Sequence, residues 1–135
     1  MKNIKLDYGE KLPENYTGIV ESPNGDIIYF LNGLRHREDG PAVIYQNGSI
    51  FYYLNGLRHR EDGPSCINYD GTIEYHLNGK CHREDGPAII YSDGTLEYCL
   101  NDKDITDKVN KWVIDNNIPK VWNKSHKLLF KLTFG

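Results

Sequence analysis

Residues 31–41 read LNGLRHREDGP; the same string returns at 54–64 and, with Lys80-Cys81 in place of Leu-Arg, at 77–87. Each copy begins 23 residues after the one before it. A fixed period of this size is the mark of a repeat architecture, in which a unit buries its apolar face only against its neighbours. A degenerate Leu100-Asn101-Asp102 closes the series, and a second turn signal keeps step with it at Asn24-Gly25, Asn47-Gly48, Asp70-Gly71 and Asp93-Gly94.

Asn-Gly and Asp-Gly between short β-rich runs predict hairpins, because both central residues of a type I′ turn need positive φ. Each unit therefore holds two strands. One type is DIIYFL (26–31), SIFYYL (49–54), TIEYHL (72–77) and TLEYCL (95–100); the other follows Gly-Pro as AVIY (42–45), SCIN (65–68) and AIIY (88–91). Pro41, Pro64 and Pro87 lack the amide hydrogen of a central ladder position and mark strand entries. In the first strand type the phase Ile27/Tyr29/Leu31, with its copies, is apolar in every unit, which predicts it as the core face. The opposite phase runs from Ile28/Phe30 and Phe51/Tyr53 to Glu74/His76 and Glu97/Cys99. Its aromatic half needs a cover, supplied either by the N-terminal arm or by a partner.

After Asp102 the pattern turns helical. Ile105, Val109, Trp112 and Val113 share a side over Thr106–Asn117, with Thr106 as N-cap, and Ser125–Phe134 offers Leu128, Leu129 and Leu132 on one side. The expected fold is mainly β: an elongated antiparallel meander of stacked β-hairpin repeats with a short α-helical C-terminal cap. Residues 1–16 form an N-terminal arm or cap, 17–105 the array, and 106–135 the helical cap that closes an otherwise open sheet edge.

The order aromatic, Leu-Asn-Gly, His, Gly, then Asn-Gly or Asp-Gly at this period resembles MORN repeats. The nearer likeness is to the LNGxxHREDGPA variant found in large tailed phages and giant viruses, and it covers residues 17–105. The resemblance implies stacked β-hairpins serving as scaffolds or interaction modules, with phospholipid binding proposed for some members, and the viral variant implies a host-directed partner. His-Arg-Glu-Asp-Gly-Pro replaces the usual His-Gly-x-Gly, so roles assigned to the family's glycines do not carry over.

Residues 1–100 hold nine Lys/Arg against fifteen Asp/Glu, and residues 101–135 seven Lys against four Asp. An acidic body speaks against nonspecific binding to a phosphate backbone, so no specific nucleic-acid partner is expected. Three cysteines, an odd number without a CxxC pair, indicate reduced structural thiols. No apolar run approaches a transmembrane span and the first residues lack a signal-peptide pattern, so a cytoplasmic protein is expected, in the host cytoplasm if viral.

His36, His59 and His82, each followed by Arg-Glu-Asp, invite a metal or acid–base reading. Equivalent residues two strands apart are about 9–10 Å from one another, whereas zinc needs ligand atoms about 2.0–2.1 Å from one centre. Copies in register read as scaffold: Arg37, Arg60 and Arg83 paired with the neighbouring Glu and Asp, and the histidines holding the loop. No cofactor, metal or catalytic residue is expected, since no nucleophile–base motif or phosphate loop is present. The candidate binding residues are the aromatic half-face, Phe30, Phe51 and Tyr53, and the basic positions Arg35 and Arg58. The expected function is a non-enzymatic protein-binding module, a phage protein that binds and inhibits a host defence protein. The alternative is a binder of a phosphate-bearing ligand: a nucleotide, a phosphoinositide or an anionic membrane surface. Oligomerisation through the sheet edge or the C-terminal helix is compatible with either.

Overall fold

A computed structural model describes residues 3–5 and 11–135 of the chain. The fold is mainly β, with two short helices at its C-terminal end. A ten-stranded sheet runs through Asn3–Lys5, Gly18–Glu21, Ile27–Leu31, Val43–Ile44, Ile50–Phe51, Cys66–Ile67, Ile73–Glu74, Ile89–Ile90 and Leu96–Glu97, with Leu34–Arg35 paired to Ile27–Leu31 beside this path. Every pairing is antiparallel except the first, where Asn3–Lys5 lies parallel to Gly18–Glu21. Of the predicted arm, residues 1–2 and 6–10 lie outside the described residues.

After the unbroken Ile27–Leu31, each long strand divides at a tyrosine. The amide of Tyr52 donates to the Ser65 carbonyl at 2.7 Å, while its own carbonyl accepts from the His59 amide at 3.0 Å. Residues before Tyr52 thus belong to the long sheet, and Tyr53–Leu54 turn aside to pair with Leu57–Arg58. His76–Leu77 with Lys80–Cys81, and Cys99–Leu100 with Lys103–Asp104, repeat the arrangement.

The two turn signals are physically different. At Asn55-Gly56 both residues are left-handed, with φ 51° and 80°, and Asn32-Gly33 and Asn78-Gly79 match them, so the type I′ turns lie in the LNG motif. At the second signal, expected to be type I′ as well, only the glycine has positive φ, for example 96° at Gly48. The Gly48 amide donates to the Tyr45 carbonyl and the Tyr45 amide to the Ser49 carbonyl, which is the three-residue hairpin loop ended by a left-handed glycine. Asn47, Asp70 and Asp93 are there as acceptors for the amide two residues on, at 2.9, 2.8 and 2.9 Å.

The predicted core phase requires correction. Directly paired residues share a face, so Ile28, Val43, Phe51, Cys66, Glu74, Ile89 and Glu97 form one side and Ile27, Ile44, Ile50, Ile67, Ile73, Ile90 and Leu96 the other. Val43 and Cys66 have no exposed surface, and Tyr53, His76 and Cys99 in the supposed outward phase are buried. The isoleucine ladder is only half-buried, and Leu31 and Leu96 are exposed. Constancy along the array marks like residues packing on like in successive strands, not depth.

The C-terminal cap has its own core: Tyr98, Ile105, Val109, Trp112 and Phe130, with Trp122 and Phe134 against it. Helix α1 (Thr106–Asp115) buries Val109 and Trp112 as expected, whereas Ile105 is its N-cap and Thr106 opens the helix. Helix α2 (Lys124–Phe134) is closed by a capping box between Asn123 and His126. It turns Phe130 inward with Phe134 packed alongside, leaving Leu128, Leu129 and Leu132, the predicted inner face, exposed.

A β-carbon added at Gly71 would meet nothing closer than the Ser92 side chain at 3.9 Å, so valine there is opposed by the φ of +95° alone. Gly71→Val is expected to cost about 1–3 kcal/mol. Urea denaturation of the two proteins, with unchanged far-ultraviolet circular dichroism, checks this.

Candidate functional site

The HREDGP loop leaves the sheet at histidine and returns at proline, and each of its side chains has one fixed use. Nδ1 of His36 accepts the Asn55 amide of the next unit's turn at 2.8 Å, and His59 and His82 take Asn78 and Asn101 at 2.9 and 3.0 Å. An accepting Nδ1 carries no hydrogen, so the ring is neutral and Nε2 bears the proton. That Nε2 lies 3.5 Å from Glu38, with 3.5 and 3.3 Å at Glu61 and Glu84.

The arginines fold back over their own loops. Arg37 Nε donates to Asp39 at 2.9 Å, Nη1 donates to the Pro41 carbonyl at 3.2 Å, and the guanidinium lies 4.1 Å over the Tyr29 ring. Arg60 with Asp62, Pro64 and Tyr52, and Arg83 with Asp85, Pro87 and Tyr75, reproduce it. Carboxylate, carbonyl and ring together leave little of the guanidinium for a ligand. Arg37 also holds the Asp39 carboxyl below the usual carboxylate range through its hydrogen bond. With Arg balancing Asp, the first two loops each leave the glutamate, Glu38 and Glu61, without a cationic partner among the described residues, whereas Glu84 of the third lies 3.5 Å from Lys131.

Consecutive loops bound a groove. The first, about 620 Å³, has Arg37–Gly40 and His59–Asp62 as walls and Tyr52 and Leu54 between them. The second, about 530 Å³, lies between the second and third loops over Tyr75 and Leu77, and Lys131 of α2 lines it. No group of three or more His, Cys, Asp or Glu is placed to hold a metal ion among the described residues.

The predicted binding residues do not form an open patch. Tyr53 is 7% exposed. The Tyr16 ring lies edge-on to Phe30 at 6.4 Å and Tyr45 edge-on to Phe51 at 5.4 Å. Arg35 lies 5.5 Å over Tyr53 and Arg58 5.4 Å over Phe51. The two basic positions are therefore part of the cover of the aromatic ones. The sequence shows them as separate sites because Arg35 and Tyr53, on adjacent hairpins, are 18 positions apart, and Phe51 and Arg58, across one turn, are 7 apart.

Ser65, His76 and Glu74 come together in the order of a hydrolytic triad. Ser65 Oγ is 2.7 Å from His76 Nδ1, and His76 Nε2 is 4.0 Å from Glu74 Oε1. The serine has no exposed surface, its hydroxyl also reaches the Glu74 carbonyl at 3.1 Å, and neither groove extends to it. Burial pushes the neighbouring Cys66 thiol up to about 11. Ser65 and His76 are thus a buried, mutually hydrogen-bonded pair, with the Glu74 side chain 24% exposed beside them.

Comparison with family models, curated proteins and solved structures finds no match for the chain.

Burial lowers the His76 pKa from its ordinary 6.5. The unfolded chain then binds a proton there that the folded chain refuses, so stability falls as pH drops through and below 6.5. His76→Cys, which installs the residue found at this place in the next unit, is expected to flatten that dependence. Denaturation midpoints of both proteins between about pH 7.5 and 5.5 check it, with the parent losing more.

Proposed function

We propose that the chain is a non-enzymatic, MORN-like protein-binding module, with a host defence protein as partner in the manner of a phage inhibitor. The supporting observation is that the three HREDGP loops repeat one bonded state, with a like groove between each consecutive pair and an exposed glutamate on the first two. A catalytic centre requires unlike groups disposed about one reacting atom. A row of like features suits an extended partner, to which each makes a small contribution. The viral and host-directed part of the reading rests on the LNGxxHREDGPA resemblance.

The phosphate-ligand alternative draws less support, because Arg37, Arg60 and Arg83 are engaged by their own loops and Arg35 and Arg58 lie over rings. Affinity capture from bacterial lysate, with mass spectrometry, is expected to retain one protein in stoichiometric amount. A thermal-shift panel of nucleotides and phosphoinositides is expected to leave the melting temperature unmoved. A shift of several degrees with one of these ligands, and no retained protein, would replace the protein-binding reading with the phosphate one.

A further inference from the structure

We propose that Glu38 and Glu61, on the rims of the first two loops, receive lysine side chains carried by a helix of a partner protein. The third loop shows the mode within the chain itself: Lys131 Nζ of α2 lies 3.5 Å from Glu84 Oε2. This inference rests on the protein-binding reading and adds the chemistry of the partner.

The argument is one of equivalence. Glu38, Glu61 and Glu84 occupy the same place in loops with the same internal bonds. They differ in their surroundings: the side chains of Glu38 and Glu61 are 84% and 83% exposed, whereas Glu84 beside α2 is 43% exposed. The groove between the second and third loops is lined by Lys131, and the groove between the first and second, otherwise alike, has no lysine among its lining residues. Leu54 and Tyr52 in that first groove match Leu77 and Tyr75 in the second and offer an apolar bed for the methylene stem of a lysine.

Charge selects the guest. The loop arginines are neutralised by their aspartates, and the histidines accept at Nδ1, so the free charge on each rim is the glutamate alone. An anion would meet it unfavourably and a cation favourably. Spacing selects the carrier. Equivalent loops are two strand spacings apart, about 9.6 Å, and residues seven apart on a helix are separated by about 10.5 Å along its axis. One helix with lysines at that interval reaches both Glu38 and Glu61.

Each contact of this kind is weak alone, so the test reads a difference. The probe is a fluorescein-labelled helical peptide with two lysines seven residues apart, and its twin has glutamate at both places. Anisotropy titration against the full chain is expected to show saturable, salt-sensitive binding of the lysine peptide and none of the twin. The variant Glu38→Gln/Glu61→Gln, altered only at exposed side chains, should keep the parent's melting temperature and bind at least tenfold more weakly. Equal binding by parent and variant, or by both peptides, overturns the proposal, as does no binding of either. Self-association of the parent in sedimentation, abolished in the variant, would make a second copy the occupant and overturn the partner assignment. A lysate partner retained equally by parent and variant would sink this inference while leaving the protein-binding module standing.

Discussion

The hydrogen bond from the Asn55 amide to Nδ1 of His36, with its copies at Asn78 and Asn101, is the tie on which the array depends. The strands of a unit are mostly two residues long and supply few ladder bonds of their own. A type I′ turn also leaves its first central amide pointing away from its own hairpin, where it needs an acceptor. The histidine of the preceding unit provides it, and the Gly56 amide beside it donates to the Arg35 carbonyl at 2.8 Å. Every turn is thus finished by the unit before it, which fixes register at each step and couples neighbours as repeat proteins require. At the start of the array, where no preceding HREDGP loop exists, Thr17 Oγ1 accepts the Asn32 amide at 3.0 Å and the Tyr16 carbonyl accepts that of Gly33.

The C-terminal end is solved by substitution of parts. Tyr98 is the fourth of the series Tyr29, Tyr52, Tyr75, and no arginine follows it in register. Trp122 stacks on it instead, with centroids 5.9 Å apart and planes 18° from parallel. Ile105 donates its amide to the Tyr98 carbonyl at 2.8 Å, as His36 does to Tyr29 at 3.0 Å. The cap is therefore built on the same backbone pattern as a loop, with aromatic burial replacing the ion pair. The Tyr98 amide, whose counterpart in Tyr75 donates to the next strand's Ala88 carbonyl, here donates to Thr106 Oγ1 at 3.0 Å.

The repeat period, the strand positions, the turn sites and the helical cap were legible in the sequence because Asn, Gly and Pro act locally and recur in step. The ion pair within each loop was legible for the same reason, since Arg37 and Asp39 are two residues apart. Depth was not legible. Both phases of DIIYFL and SIFYYL are apolar, so alternation could not say which is buried, and Tyr53 was placed outside when it lies within. Nor was the division of the strand at Tyr52 visible, because it arises from a bond to Ser65, thirteen residues on. In the cap, the spacing of Leu128, Leu129 and Leu132 pointed to the leucine side, whereas the aromatic cluster around Trp122 draws Phe130 inward. The Lys131–Glu84 contact spans 47 residues and leaves no local signal.

Loops that serve as ties still face solvent, and that is how one motif both holds the array and presents a surface. The histidine and arginine point into the structure and are used there, while the glutamate between them and the aspartate faces outward. The claim that the histidines are ties is most directly tested by amide hydrogen exchange, followed by nuclear magnetic resonance, in His59→Ala. Protection of the Asn78 amide should fall sharply while that of Asn55, held by the intact His36, persists. Unchanged protection at Asn78 in the folded variant would contradict the account.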